Sequence, residues 1–356
     1  MSLPRTRDNS PRRLEYPPPG RALRHCFAFA TGNIRLNDSP SLPPHPRRSL
    51  ALTRPAHRRA ALFAQEPGQP KTVRLLTVGN SFSHNATHYL GELAKATGDT
   101  LILREAIVGG ASLELHWSKV EAFEKNPDDK EGRYGDGKSL KEELTSEPWN
   151  FVTFQQASIK SHDLATYRPY AKELSDYIRR YAPGATLLMH ETWEYRVDDP
   201  RFSSKTAALV PLASQEEMYR GLASAYATVA KELNVRLIPV GDAFHLANHD
   251  AQWGFHASST PFDAKNAKPG ELPDQTHSLN VGWSWKKQPD ATMKLTMDGH
   301  HANMAGEYLG ACVWYEVLFG KSVENNSFVP AGLDPSYAKF LRTTAHQVVT
   351  KPAGAN

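Results

Sequence analysis

Ser81, Asp298 and His301 are the residues of this chain whose types and spacing could do chemistry together. A serine hydroxyl is a poor nucleophile unless an imidazole takes its proton during attack, and the imidazole works best when a carboxylate holds its other nitrogen. Ser81 lies in Gly79-Asn80-Ser81-Phe82-Ser83, directly after the apolar run Val73–Val78, so it belongs at the carboxyl end of a buried strand. A helix expected from about His84 would point free backbone N–H groups and its positive end toward an oxyanion forming there. Asp298 and His301 stand three residues apart at the expected start of the last helix, a spacing that places both side chains on one face of its first turn. Asp298 could then accept from Nδ1–H and leave Nε2 free for Ser81, with His300 pointing elsewhere. Taken singly, each has a plainer reading: Ser81 and Asp298 are both helix-capping types.

Two further stretches fall at the same edge. Val108-Gly109-Gly110-Ala111-Ser112 follows the second expected strand, where a glycine lets a backbone N–H approach a substrate oxygen closely. Phe154-Gln155-Gln156-Ala157-Ser158 follows the third and brings uncharged donors. In an open α/β sheet, ligands collect outside the carboxyl ends of the strands, at the crevice where strand order reverses.

The elements that must position these residues are an alternation of short apolar runs and longer helical patterns from Lys71 onward, the mark of a parallel α/β sheet. Strands are expected at Val73–Val78, Leu101–Ala106, Phe151–Phe154, Thr186–His190 and Arg236–Val240. Helices are expected at about His84–Thr97, Leu113–Lys125, Tyr167–Tyr181, Gln215–Leu233 and Ala302–Phe319. Two segments break the rhythm, Asn126–Ser146 and His249–Met297, and loops this long read as substrate-facing insertions. The expected organisation is a leader over 1–70, a catalytic domain over 71–322 and a C-terminal tail or short helix over 323–356.

Residues 1–70 hold twelve arginines and four acids, net +8, and the other 30 basic and 34 acidic residues are net −4. The folded part is therefore mildly acidic, and a nucleic-acid surface is not expected. The leader also carries twelve of the 26 prolines, a composition that buries too little apolar surface to order itself. Ala60-Ala61-Leu62-Phe63-Ala64 is shorter than the roughly 7–15 residues of a signal h-region, so the compartment stays open between cytoplasm and export. Cys26 and Cys312 suggest neither a disulfide framework nor a zinc cage. No stretch approaches the roughly 18–20 apolar residues that cross a bilayer.

Taken together, the blocks Gly79-Asn80-Ser81-Phe82-Ser83, Gly109-Gly110-Ala111-Ser112-Leu113, Phe154-Gln155-Gln156-Ala157-Ser158 and Asp298-Gly299-His300-His301, the last followed by Gly306, Tyr308 and Leu309, resemble the SGNH (GDSL-type) hydrolase superfamily over residues 72–320. They are most similar to a poorly characterised bacterial branch with glutamine in the third block. The resemblance implies a flavodoxin-like three-layer α/β sandwich with a five-stranded parallel sheet. It implies Ser81 as nucleophile, His301 as base and Asp298 as its partner, and an oxyanion hole of Ser81, Gly110 and Gln155, with Gln156 or Ser158 as alternatives to Gln155. Asn80 stands where the family usually has Asp. No metal or other cofactor is implied. The substrates implied are small acyl esters, acetyl groups on carbohydrates above all, and Trp117, Trp193, Trp253, Trp283 and Trp285 could stack on sugar faces.

Two other classes compete. A metal hydrolase is suggested by His84-x-x-x-His88, His190-Glu191 and His300-His301 among fifteen histidines, although no His-Glu-x-x-His run occurs. A carbohydrate-binding protein that keeps the fold without catalysis is suggested by the altered third block. Oligomeric state is not legible.

Overall fold

The computed structural model describes residues 69–202, 212–260 and 262–351, all within one compact unit, Gln65–Asn356. The basic leader expected over 1–70 thus lies outside the described residues, apart from its last two.

In chain order the structure runs β1 (Thr72–Gly79), α1 (Ser81–Thr87), α2 (Leu90–Ala96), β2 (Thr100–Ile107), α3 (Leu113–Lys125), α4 (Leu140–Thr145), β3 (Phe151–Phe154), α5 (Tyr170–Tyr181), β4 (Thr186–His190), α6 (Gln215–Leu233), β5 (Arg236–Ile238), α7 (Val240–Asn248), β6 (Asn280–Lys287), β7 (Met293–Ala302), α8 (Met304–Phe319) and α9 (Pro335–Thr350). β1 to β5 form a parallel sheet in the order β2-β1-β3-β4-β5, and β6 pairs antiparallel with β7 apart from it. This is the expected flavodoxin-like three-layer α/β sandwich, whose crevice lies where strand order reverses, between the carboxyl ends of β1 and β3.

Leu75, Leu76, Thr77 and Val78 are all buried, because an interior parallel strand is covered by helices on both sides and so reads as a continuous apolar run. α3, α5 and α6 pack in series on one face, and α1, α2 and α7 gather round α8 on the other. α8 is apolar all round, and such a helix needs cover on every side. α9 supplies the outermost layer. The segment expected as a tail or short helix is therefore a 16-residue helix, capped by Asp334 and docked against α8.

Neither long segment is the bare loop its length suggested. Asn126–Ser146 folds back on α3 through a 3₁₀ turn at Lys130–Gly132 and through α4, which a Ser139–Glu142 capping box opens. His249–Met297 contains β6 and the start of β7. The pattern expected as one helix over His84–Thr97 is two, α1 and α2, and Val240 begins α7 instead of ending a strand.

Candidate active site

Ser81 is the first residue of α1, a position whose N–H has no acceptor within the helix. Asn80 caps the helix, its Oδ1 accepting from Phe82 N at 2.9 Å. The same oxygen accepts from Gln155 Nε2 at 2.8 Å, and Asn80 Nδ2 donates to the Ala111 carbonyl at 2.9 Å. One amide thus ties together the ends of β1, β2 and β3. A carboxylate could accept twice but could not donate to Ala111, which gives Asn in place of Asp a physical reason. Gly79 is required beside it, since a Cβ there would meet Ser83 Oγ at 2.7 Å and Gln155 Oε1 at 3.0 Å. Gly110 holds φ +67°, a left-handed turn that brings its backbone to the pocket wall.

His301 and Asp298 arrive differently from the expectation: they lie on β7, before α8, which Asn303 caps. Between the pairs Gly282↔Asp298 and Asn280↔Ala302, β6 advances two residues and β7 four, so the ladder is bulged where the two side chains are displayed. Asp298 shapes the bulge, its Oδ1 accepting from the N–H of His301 at 3.0 Å and of His300 at 3.3 Å. Its Oδ2 lies 2.9 Å from His301 Nδ1, and His301 Nε2 lies 2.8 Å from Ser81 Oγ. The Asp298 carboxylate can only accept, so Nδ1 carries the hydrogen and Nε2 is free to accept from Ser81.

His300 also faces the site instead of pointing away. Its Nδ1 is 2.8 Å from Asp298 Oδ1, close enough for attraction but out of line for a hydrogen bond. Burial pushes the Asp298 carboxyl upward, but His300 and His301 outweigh it and hold the group far below the usual carboxylate range. The bulge is pinned from the loop after β4, where Trp193 Nε1 donates to the His300 carbonyl at 2.8 Å and Arg196 N to the Gly299 carbonyl at 2.8 Å. Trp193 is itself clamped between Phe82 and Phe244, with ring centroids 4.3 and 4.5 Å away.

A cavity of about 320 Å³ opens over Ser81, lined by Asn80, Phe82, Gly110, Ala157, Ser158, Ile159, Tyr195, Arg201, His300 and His301. Gln155 is not among them, which corrects its assignment to the oxyanion hole. It is buried, its Nε2 donates one hydrogen to Asn80 Oδ1 and its Oε1 accepts from His190 Nδ1 at 2.7 Å. Gln156 is likewise engaged, by Leu113 N, Ala157 N and the Thr166 carbonyl. Of the three third-block residues only Ser158 reaches the cavity, with its Oγ 2.9 Å from Tyr195 OH.

None of the five tryptophans weighed as sugar platforms lines this cavity. Trp193 is fully buried, and Trp253 packs on Tyr337 and Phe340. Neither long segment lines it either; each supports it from behind. Tyr134, within 126–146, lies 2.8 Å from His116 Nδ1, and His116 Nε2 lies 3.1 Å from the Gly79 carbonyl. That carbonyl can only accept, so His116 carries its hydrogen on Nε2 and takes one from Tyr134. β6, within 249–297, is the strand against which β7 is bulged.

Ile159, Tyr195 and Arg201 are lining residues that belong to none of the sequence blocks, and His300 is one that the reading of its block set aside. Glu191-Thr192-Trp193-Glu194-Tyr195-Arg196 directly follows β4, so the rule that ligands collect at strand carboxyl ends was the available signal. Arg201 stacks over the Tyr195 ring at 3.8 Å and forms a fork with buried Asp199, Nε to Oδ1 at 2.8 Å and Nη2 to Oδ2 at 2.6 Å.

Of the histidines that suggested a metal hydrolase, His84, His88 and His190 do not gather, whereas His300 and His301 lie side by side, ring centroids 4.0 Å apart. His84 faces Glu105 and His88 faces Glu307, while His190 is committed to Gln155. Among the described residues, two groups have ligand atoms close enough to share an ion: Asp298, His300 and His301, and, away from the cavity, Glu216, His245 and His249.

Residues 74–251 and 286–348 match the profile of a family described as DUF4886, a domain of unknown function. A DUF4886 family protein from Bacteroides uniformis has a crystal structure similar to this chain, with 26% identity and a TM-score of 0.59 over 79% of this chain and 96% of the other. A protein from Slackia heliotrinireducens, provisionally described as an SGNH hydrolase, is 22% identical with a TM-score of 0.43 over 69% of this chain and 98% of that one. A Parabacteroides merdae protein, provisionally described as a GDSL-like lipase, is 13% identical with a TM-score of 0.40 over 71% and 98%. No curated protein matches.

Proposed function

This chain belongs to the DUF4886 family, and from the geometry of its site we propose that it is a serine ester hydrolase acting on small acyl, chiefly acetyl, esters of carbohydrates. The observation that carries the reading is the line Ser81 Oγ to His301 Nε2 at 2.8 Å and His301 Nδ1 to Asp298 Oδ2 at 2.9 Å.

In this reading Ser81 attacks the acyl carbon while His301 takes its proton, and Asp298 stabilises the imidazolium and fixes its tautomer. The N–H groups of Ser81 and Gly110 receive the tetrahedral oxyanion. The third donor is Ser158, in place of Gln155, its hydroxyl steadied by Tyr195. His301 then protonates the leaving alcohol, and water repeats the cycle on the acyl enzyme. A cavity of about 320 Å³ fits a small acyl group with part of a sugar better than a lipid chain. Arg201 and Tyr195 offer hydroxyl-binding groups on the alcohol side.

The test compares the native chain with Ser81→Ala on aryl acetates and acetylated oligosaccharides, with and without a chelator. Turnover is expected to fall by about 10⁴-fold or more in Ser81→Ala and to ignore the chelator. An organophosphonate should label Ser81. Equal turnover in the two proteins would sink the hydrolase, and sugar binding retained by both without turnover would favour a binding module. Chelator-sensitive turnover would turn the reading to metal chemistry at Asp298, His300 and His301.

A further inference from the structure

We infer that Glu216, His245 and His249 form a binding site for a divalent transition ion of the zinc type, separate from the Ser81 cavity. Glu216 lies in the first turn of α6, while His245 and His249 lie four residues apart at the carboxyl end of α7. Glu216 Oε2 is 3.8 Å from His245 Nε2 and 3.9 Å from His249 Nε2, and all three ligand atoms fall within 4.8 Å of one another. Such separations are too long for hydrogen bonds. They are close to the edge of a tetrahedron built on bonds of roughly 2.0–2.2 Å, which is about 3.4 Å, so small side-chain movements close the set.

His249 is held in the tautomer that ligation needs. His249 Nδ1 lies 2.8 Å from the His245 carbonyl, which can only accept, so the hydrogen sits on Nδ1 and the Nε2 lone pair faces Glu216. His245 Nδ1 faces Glu194 Oε1 at 3.8 Å. Glu194 is fully buried and its Oε2 has no hydrogen-bond partner among the described residues, while Oε1 accepts from Asn248 Nδ2 at 3.0 Å. A buried carboxylate behind an imidazole is the outer partner that orients a metal-bound histidine, and a cation on the far side of the ring gives it a charge to balance.

The His245 ring is fixed further by Tyr219, stacked at 3.5 Å and 4°. Arg220 Nε sits 3.5 Å from Glu216 Oε1 and so leaves Oε2 for the histidine side. Glu216 and His249 are half exposed, so an ion can enter and keep water in a fourth position. Imidazole nitrogens with one carboxylate suit zinc better than calcium or magnesium. The ion would tie α6 to α7 and, through Glu194, to the loop that carries Trp193 and Tyr195.

The full chain, stripped with a chelator, is titrated with zinc alone by calorimetry and with cobalt(II) by visible absorption. One ion per chain and a tetrahedral cobalt spectrum are expected, with a rise in thermal midpoint. Glu216→Gln and His249→Gln should each weaken zinc binding by about 100-fold or more. Glu194→Gln should weaken it by about 10–100-fold while keeping the cobalt spectrum, as an outer partner does. Because residues 216 and 249 are half exposed, the metal-free variants should unfold at the native midpoint, and that control separates lost ligation from lost fold. Absence of binding overturns the proposal. So does binding that survives Glu216→Gln and His249→Gln but is lost in His300→Gln, which would put the ion beside Ser81.

Discussion

Ser81 and His301 come within hydrogen-bonding distance from two regions built on opposite plans. The nucleophile stands at the end of an interior strand of a parallel sheet, where Asn80, Gln155, His190 and His116 close a buried network around it. The base stands on a bulge of a two-stranded hairpin outside that sheet, held by its own Asp298 and by two hydrogen bonds from the loop after β4. The first region gets precision from burial, since removing one partner of a buried hydrogen bond there costs the full desolvation of the other. The second gets aim from a few long-range contacts. Errors in the first should therefore appear as lost stability, and errors in the second as lost turnover.

The largest break in that comparison should come from Asp298→Asn. An amide in this place leaves the cavity shape intact but no longer holds His301 in the Nδ1–H tautomer, so kcat should fall by roughly 10⁴-fold. Steady-state kinetics beside a denaturant curve would check it, and a fall below about tenfold would show that the carboxylate shapes the bulge without serving the imidazole. Trp193→Phe should come next. The ring still fills the space between Phe82 and Phe244, but the His300 carbonyl loses its donor, and a displaced imidazole should lower kcat by about 10–100-fold. Stability should drop by only about 1 kcal/mol.

The same contrast governs what could be read from the chain. Strands β3 and β4 fall at the expected residues because an interior parallel strand is a short apolar run with turn residues on both sides. Ser81 follows from being next to such a run. The bulge was not legible: Asp298 and His301 at spacing three fit the first turn of a helix as well as a kinked strand, and only pairing with β6 decides between them. The hairpin partner lies in a polar segment whose alternation is weak, so it read as a loop. Gln155 was misassigned for a related reason. Sequence shows that an amide reaches the carboxyl edge of the sheet, but whether it faces solvent or Asn80 depends on the neighbouring strand ends. Tyr195 and Arg201 carry no motif at all, and they enter the site because the loop after β4 folds back over it.

Gln155→Leu sharpens the comparison from the other side. Asn80 Oδ1 and His190 Nδ1 would each lose a buried partner, so stability should fall by about 2–4 kcal/mol, while kcat of the folded fraction should change by less than about tenfold. Were Gln155 an oxyanion donor, kcat would fall by about 10²–10³-fold at nearly native stability.

The smallest effect expected is a pH slope. Burial pushes His116 down to about 4 and His190 down to about 3, against roughly 6.5 in the unfolded chain. Between those values the unfolded chain binds more protons than the folded one, so stability rises with pH and drains away as pH falls from about 6.5 toward 4. Asp298 is shifted downward as well, and its contribution is lost only as pH falls below its unfolded carboxyl value near 3.9, outside this window. From pH 7 to about 5 each buried histidine should therefore cost on the order of 2 kcal/mol. His190→Gln can still donate to Gln155 but cannot titrate, so its urea midpoint should depend less on pH than that of the native chain. Identical slopes would mean that His190 takes up a proton inside the fold, and that the network under Ser81 is not as closed as its hydrogen bonds imply.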